Sequence, residues 1–317
     1  MLARYIGGRV AQAVLVLWAA FTVTFVVLYL LPSDPVSILL GQAAGPGATV
    51  SPAAIAKVKH EYGLDQPVIV QYFHQLVGAL HFDFGNSISQ AEPVSRLLQQ
   101  DLPPTLALAA AALSLTIVLG VVLAFVATFV RASWLRRILE RLPAVGVSLP
   151  TFFVGLLLIQ LLSFTFHWFP AAGSVGLATL VLPAITMALP SSGVLAQVLI
   201  RSINDTLGEP YLTTARAKGL GRFIIHARHA FGNAALPALT VLGLLFGATM
   251  TQAVVAETVF SRIGVGRLAQ QAVTAQDIPV VQGIVVIAAA LFVTINLIID
   301  LIYPLLDPRV VSSPRVV

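Results

Sequence analysis

Charge is what this sequence has least of. Asp, Glu, Lys and Arg make up 10% of its 317 residues, where a soluble domain carries about 25%. That deficit excludes an ordinary water-soluble globule. Disorder is excluded as well, because it requires low hydrophobicity and high charge, and here 58% of residues are hydrophobic with a mean hydropathy of +0.93. Cysteine is absent, so there is no disulfide framework, thiolate nucleophile or Cys-ligated metal. Lysine occurs only as Lys57, Lys59 and Lys218, each preceded by Ala or Val. Without a Gly-Lys pair there is no Walker A phosphate loop. His60-Glu61 opens like a zinc-protease motif, but Leu64 stands where the second His must be, and no Gly-x-Ser-x-Gly elbow occurs.

What the chain does have is long apolar runs. Six stretches can cross the roughly 30 Å hydrocarbon core of a bilayer: Val10–Leu31, Leu106–Val130, Pro143–Phe166, Leu177–Ile200, Leu236–Ala256 and Ile284–Leu306. None shows the short alternating segments of a membrane β-barrel. Backbone groups in lipid must bond internally, so the spans are expected to be helices. The fold class is therefore an all-α integral membrane protein with six transmembrane helices. The first run exceeds a signal-peptide core, and Leu31-Pro32-Ser33-Asp34 follows it in place of a cleavage site. It reads as an uncleaved helix.

The basic residues set the orientation. Thirteen of the 18 fall at the N-terminus, in the stretches 131–141 and 201–235, and at the C-terminus; five fall on the opposite side. The positive-inside rule then puts both termini in the cytoplasm. The same rule accounts for the net charge of +5, so no nucleic-acid partner is expected; the partner is the lipid bilayer. Residues 1–31 form the tail and first helix, 32–105 an extracytoplasmic lobe, and 106–317 the core membrane domain, with a cytoplasmic loop at 201–235. In the lobe, Ser51-Pro52 starts a helix that Gly63 stops, and Ile69, Tyr72, Phe73, Leu76 and Leu80 repeat at helical spacing.

Few polar groups interrupt the spans. Asp300 lies in the inner half of the last, read as a structural intramembrane acid in a hydrogen bond or ion pair, and Glu257 at the outer end of the fifth. An ion-coupled carrier would need more such acids near the midplane. Pro183 and Pro190 predict a kinked fourth span. Gly243-x-x-x-Gly247, continued by Thr251, predicts a small-residue seam facing the pathway or a partner. His226 and His229 share a helix face in the loop, and two histidines do not make a metal site. No metal and no catalytic residues are expected in this chain.

The loop at 201–235 is the most informative segment. Pro210 suits the first turn of a helix and Gly219 its end, with a second helix expected at Arg222–Phe231. The run Tyr211-Leu-Thr-Thr-Ala-Arg-Ala-Lys-Gly219 resembles the coupling-loop signature of ABC-importer permeases of the peptide group. In the general motif a Glu-Ala-Ala triplet precedes Gly by four residues. Here those positions are Thr213, Thr214, Ala215 and Gly219, a departure common in the peptide branch. The motif's later Ile-x-Leu-Pro is not kept either, its place falling at about His229, Phe231 and Gly232. The resemblance spans nearly the whole chain. It takes in Leu30–Pro35, Tyr62–Pro67, Asp83–Ile88, Leu102–Leu106, Ser148–Phe152, Glu257–Phe260, Gly264-x-Gly266, Asp277–Gly283 and Asp300–Arg309. The long lobe after the first helix is similar to that of the first, B-type subunit of dipeptide and oligopeptide systems.

This resemblance implies a type I ABC-importer permease fold in a bacterial inner membrane. A second paralogous permease would complete the pathway. Two separate ATPase subunits would bind ATP and Mg, and no cofactor would belong to this chain. A substrate-binding protein would deliver cargo from outside. The ATPase contact would be made by Glu209, Tyr211, Leu212, Thr213, Thr214, Ala215, Arg216, Ala217, Lys218 and Gly219, with Tyr211, Leu212 and Ala215 packing into a groove. Gly243, Gly247 and Thr251 would face the partner permease or the pathway. Cargo could be a dipeptide or oligopeptide, a nickel chelate, glutathione or haem. An ion-coupled secondary transporter is the remote alternative.

Overall fold

The computed structural model describes residues 2–30, 51–53, 56, 60 and 65–306. The expected Ser51–Gly63 helix therefore lies largely outside the described residues. Those described are helical apart from turns and one isolated antiparallel bridge between Asn86 and Pro93. The main helices are α1 (Leu2–Leu30), α2 (Val68–Leu80), α3 (Val94–Phe129), α4 (Ser133–Ser148) and α5 (Thr151–Leu158), the last running on as π turns to Thr165. Then follow α6 (Ala178–Leu207), α7 (Pro210–Ala217), α8 (Arg222–Ile224), α9 (Phe231–Val259), α10 (Val265–Thr274) and α11 (Ile278–Leu306). Five helices are long and apolar enough to cross a membrane; α4 and α5 make a sixth span if taken together, bent by 99°. The chain forms two compact units, one of residues 1–6, 106–262 and 295–317, the other of 7–105 and 263–294.

In the first unit α6 is the central helix. Leu195, Leu199, Ile200 and Ile203 pack on Ala124 and Ala127 of α3 and on Ala234, Ala238 and Leu245 of α9. The alanines allow the close approach that membrane helices need when no water drives them together. Gly193 carries this furthest: a Cβ there would sit 2.6 Å from the Pro143 carbonyl oxygen of α4. α6 is one unbroken helix that contains Pro183 and Pro190. A break falls in the third span, at Leu149-Pro150, where a proline disfavours helix in the residue before it. The continuous Pro143–Phe166 helix expected from hydropathy is corrected accordingly.

In the second unit, Tyr72 of α2 sits between Phe21 and Phe25 of α1, at ring distances of 5.7 and 5.3 Å, and its hydroxyl bonds that of Thr22 at 2.8 Å. The lobe helix thus lies against the first span, while Ile69, Phe73 and Leu80 are exposed. A second cluster joins Val94, Leu97 and Leu98 to Val265, Leu268, Val280 and Ile284. Gly283 is tight there, with a Cβ only 2.8 Å from Val94.

Candidate functional site: the loop helix and its supports

Sequence dictates α7 at both ends. Pro210 occupies the first turn, where its missing N–H costs nothing. Gly219 closes the helix with φ +78°, and its N–H bonds the Arg216 carbonyl at 2.9 Å. That left-handed stop is the one expected from the sequence. The second expected helix is not separate. Arg222–Ile224 passes through π turns at Ile225–Ala230 directly into α9.

The face of α7 differs from expectation. Leu212 is fully buried and Ala215 nearly so, both against Ile225 with Leu207 beside them. They are i and i+3 on one stripe, and that stripe holds α7 to its own chain. Neither is left to fill an external groove, which corrects that assignment. The outward residues are Glu209, Tyr211, Thr213, Thr214, Arg216, Ala217, Lys218 and Gly219. Tyr211 is tied at its tip, where Asn233 Nδ2 donates to its hydroxyl at 2.7 Å, and Arg216 donates to the Leu207 carbonyl at 3.2 Å. The result is a short helix fixed at its base that presents threonines and two cations.

The glycine seam on α9 is also corrected in part. Gly243 is buried against α11, where a Cβ would lie 2.9 Å from Asn296 Oδ1 and 3.1 Å from Ile299. It seals the chain's own helices. Gly247 is half-buried and Thr251 exposed, and with exposed Thr240, Leu244 and Thr258 they share one helix face. The Asp300 backbone lies in α11; its side chain is outside the described residues. His226 is buried and His229 half-buried. Among the described residues no group of three or more His, Cys, Asp or Glu is placed to hold a metal.

Two polar latches were not visible in sequence. In the second unit, buried Asp277 accepts from Ser87 Oγ at 2.6 Å, Ser89 Oγ at 2.7 Å, Ser89 N at 2.9 Å and Ile88 N at 3.3 Å. It joins two motif strings, Asp83–Ile88 and Asp277–Gly283, that lie far apart in the chain. In the first unit, buried Arg262 donates through Nη1 to the carbonyls of Gly173 (3.2 Å) and Thr179 (2.8 Å) and to Thr179 Oγ1 (3.0 Å). Thr179 is four residues before Pro183, which has no N–H to give it. Pro183 thus leaves a free carbonyl, and Arg262 takes it up.

Membrane-length helices with an internally braced loop helix define a multi-span membrane protein. The family follows from comparison. Residues 116–312 match the binding-protein-dependent transport system inner membrane component, and residues 1–109 its N-terminal companion; the chain belongs to this family and is a multi-pass membrane permease of the ABC-importer type. A Brucella melitensis protein assigned by name to a peptide transport system is 38% identical, over 98% of this chain and 99% of its own length. The glutathione transport system permease GsiC of Salmonella typhimurium is 33% identical, over 96% and 98%. Among solved structures, the MetNI methionine ABC transporter superposes with a TM-score of 0.55 at 14% identity, covering 67% of this chain and 96% of that one. An amino acid ABC transporter gives 0.52 at 19% identity, covering 66% and 94%. These two show the fold. Family membership implies ATPase and binding-protein partners.

Proposed function

We propose that this chain is one of two paralogous permeases of an ATP-driven peptide importer in a bacterial inner membrane, with both termini in the cytoplasm. It supplies half of the pathway, next to a second permease. It receives force from two ATPase subunits that bind ATP and Mg, and cargo from a binding protein outside. The outward face of α7, from Glu209 to Gly219, is the ATPase contact, and Gly247 and Thr251 lie toward the partner permease or the pathway. The carrying observation is α7 itself: eight residues held by Leu212 and Ala215, stopped by a left-handed Gly219, with Thr213, Thr214, Arg216 and Lys218 presented outward. Exposed cations at such a contact set orientation and encounter more than raw affinity. Peptide cargo rests on the full-length relatives, which carry peptide and glutathione transport in their names.

The test is ATP-driven uptake by the reconstituted complex, with labelled dipeptides and oligopeptides competed by glutathione, a nickel chelate and haem. Uptake of peptides that requires co-purifying ATPase subunits is the expected result. Uptake by the chain alone, driven by an ion gradient, would overturn it.

A further inference from the structure

The loop end of the first unit contains a basic pocket that shares Arg216 with the loop helix and otherwise lies behind it. It has a volume of about 360 Å³ and is walled by Thr128, Arg136, Leu207, Arg216, Leu220, Arg222, Ile225 and His226. That is the small end of the range for ligand pockets, roughly 300–1,000 Å³. Three guanidiniums line it and no carboxylate does. Each is positioned by the fold. Arg136 donates to Glu140 Oε1 at 2.8 Å and to Asn204 Oδ1 at 3.1 Å. Arg216 donates to the Leu207 carbonyl, and Arg222 to the Phe129 carbonyl at 2.5 Å while lying 4.7 Å from the Phe129 ring centre. A guanidinium has five N–H groups, so these anchors leave donors over.

Buried His226 completes the wall. The Thr128 carbonyl can only accept, so the 3.1 Å contact makes Nε2 the donor, and Nδ1 has no partner. Burial holds this imidazole below its ordinary pKa, and the guanidiniums of Arg222, Arg136 and Arg216 push it the same way. All three cations therefore bear on one point, and Arg136 is also paired to Glu140. An oxyanion is the ligand such a cluster lacks.

Depth selects the kind of oxyanion. Thr128 and Phe129 end the α3 span, and Leu207 ends α6. Phe125, Phe129 and Phe223 form an aromatic cluster at this level, with centroids 5.6–6.4 Å apart. Phe223 and Ile224, the two residues after Arg222, are exposed. The span ends put the pocket near the headgroup level, and basic pockets between span ends suit lipid phosphates.

We propose that this pocket binds the phosphate of an anionic phospholipid, with Arg136, Arg216 and Arg222 around the headgroup and acyl chains along Phe223 and Ile224. The inference requires the membrane reading and is independent of which cargo or ATPase the chain serves. Because Arg216 belongs to α7, the bound lipid would also steady the loop helix.

The experiment uses the full chain, purified with its co-expressed subunits, delipidated and titrated with phosphatidylglycerol or phosphatidylcholine under native mass spectrometry. Wild type should retain phosphatidylglycerol preferentially. R136Q and R222Q should each weaken retention about fivefold, the usual share of one cation near an anionic surface, and R222K should keep most of it. R136Q leaves the Phe129 contact intact, so it decides the matter if R222Q fails to insert. Equal retention of the two lipids, or unchanged retention in R136Q, overturns the proposal. Displacement by an equal concentration of inorganic phosphate overturns the lipid assignment in favour of a soluble anion. Lipid binding by the isolated chain that vanishes in the full assembly overturns it in favour of an ATPase carboxylate.

Discussion

Replacing Gly219 isolates backbone conformation from every other property of the loop helix. Its φ is +78°, and a Cβ added there would meet nothing within 4 Å. The cost of a side chain is therefore conformational, without a clash inside this chain. For an ordinary residue that cost is about 1–2 kcal/mol. A β-branched residue pays more, because positive φ makes it a genuine outlier, whereas Asn is enriched in this region. One to two kcal/mol changes a two-state population by about 5–30-fold. The stop holds the end of an eight-residue helix whose own support is Leu212 and Ala215. Gly219→Val should shift the carboxyl end of α7 out of register with Arg216 and Lys218 and lose most ATPase association. Gly219→Ala should lose part of it, and Gly219→Asn little. Insertion and permease pairing should be near normal in all three. The assay is pull-down of the ATPase subunits with substrate-stimulated ATP hydrolysis in reconstituted complexes. Equal activity of the Val and Asn variants, whether both full or both lost, would refute the argument from φ.

Other expectations follow from the packing. Gly193→Ala places a methyl about 2.6 Å from the Pro143 oxygen, so it should lower thermal stability in detergent by an overpacking cost of about 1–3 kcal/mol; Gly232→Ala, with open space around it, should not. Arg262→Met should loosen the end of α9 by stranding the Gly173 and Thr179 oxygens. Adding Pro183→Ala should recover about 0.5–1.5 kcal/mol by returning an N–H to the Thr179 carbonyl, and additive losses in that double-mutant cycle would count against the account. Asp277→Ala, which removes the carboxylate that Ser87 and Ser89 donate to, should raise thiol labelling of a cysteine placed at Gln90, read against the same cysteine in an otherwise native chain. Gly243→Leu should destabilise the chain itself, whereas Gly247→Leu should impair pairing or uptake with the chain still folded; the reverse pattern in size-exclusion and uptake assays would dismiss the revised seam.

The spans and the helix stop were legible because each depends on local chemistry. An apolar run of twenty residues, Pro210 at a helix start and Gly219 at its end carry their physics within a few residues. What was not legible depends on the far end of a contact. Leu212 and Ala215 look like any apolar stripe until Ile225 is seen to cover them. Gly243 looked like an external seam because Asn296 and Ile299, more than fifty residues on, gave no local sign. Asp277 and Arg262 stand in short loops, and only folding brings the Ser87–Ser89 turn or the Thr179 carbonyl to them. Proline acts at a distance in the same way: the carbonyl that Pro183 leaves free is met by Arg262, whereas Pro150 stands at the break of the third span.

The path from Arg222 to Val259 carries a mechanical consequence. It is helical throughout, with the π turns at Ile225–Ala230 and Pro237 as the points where it can bend. Thirty-eight residues at about 1.5 Å each make a rod of roughly 55 Å. One end is gripped by the loop helix through Ile225, and the other by Phe260 and Arg262 against the Gly173–Thr179 connection. A rod has gain. Tilted by about 5° around one end, it displaces the other by roughly 5 Å at that length. A small rotation imposed at the loop would therefore reach the opposite rim of the bundle as a movement up to about the width of a side chain, with only the π turns and Pro237 near the loop end to absorb part of it.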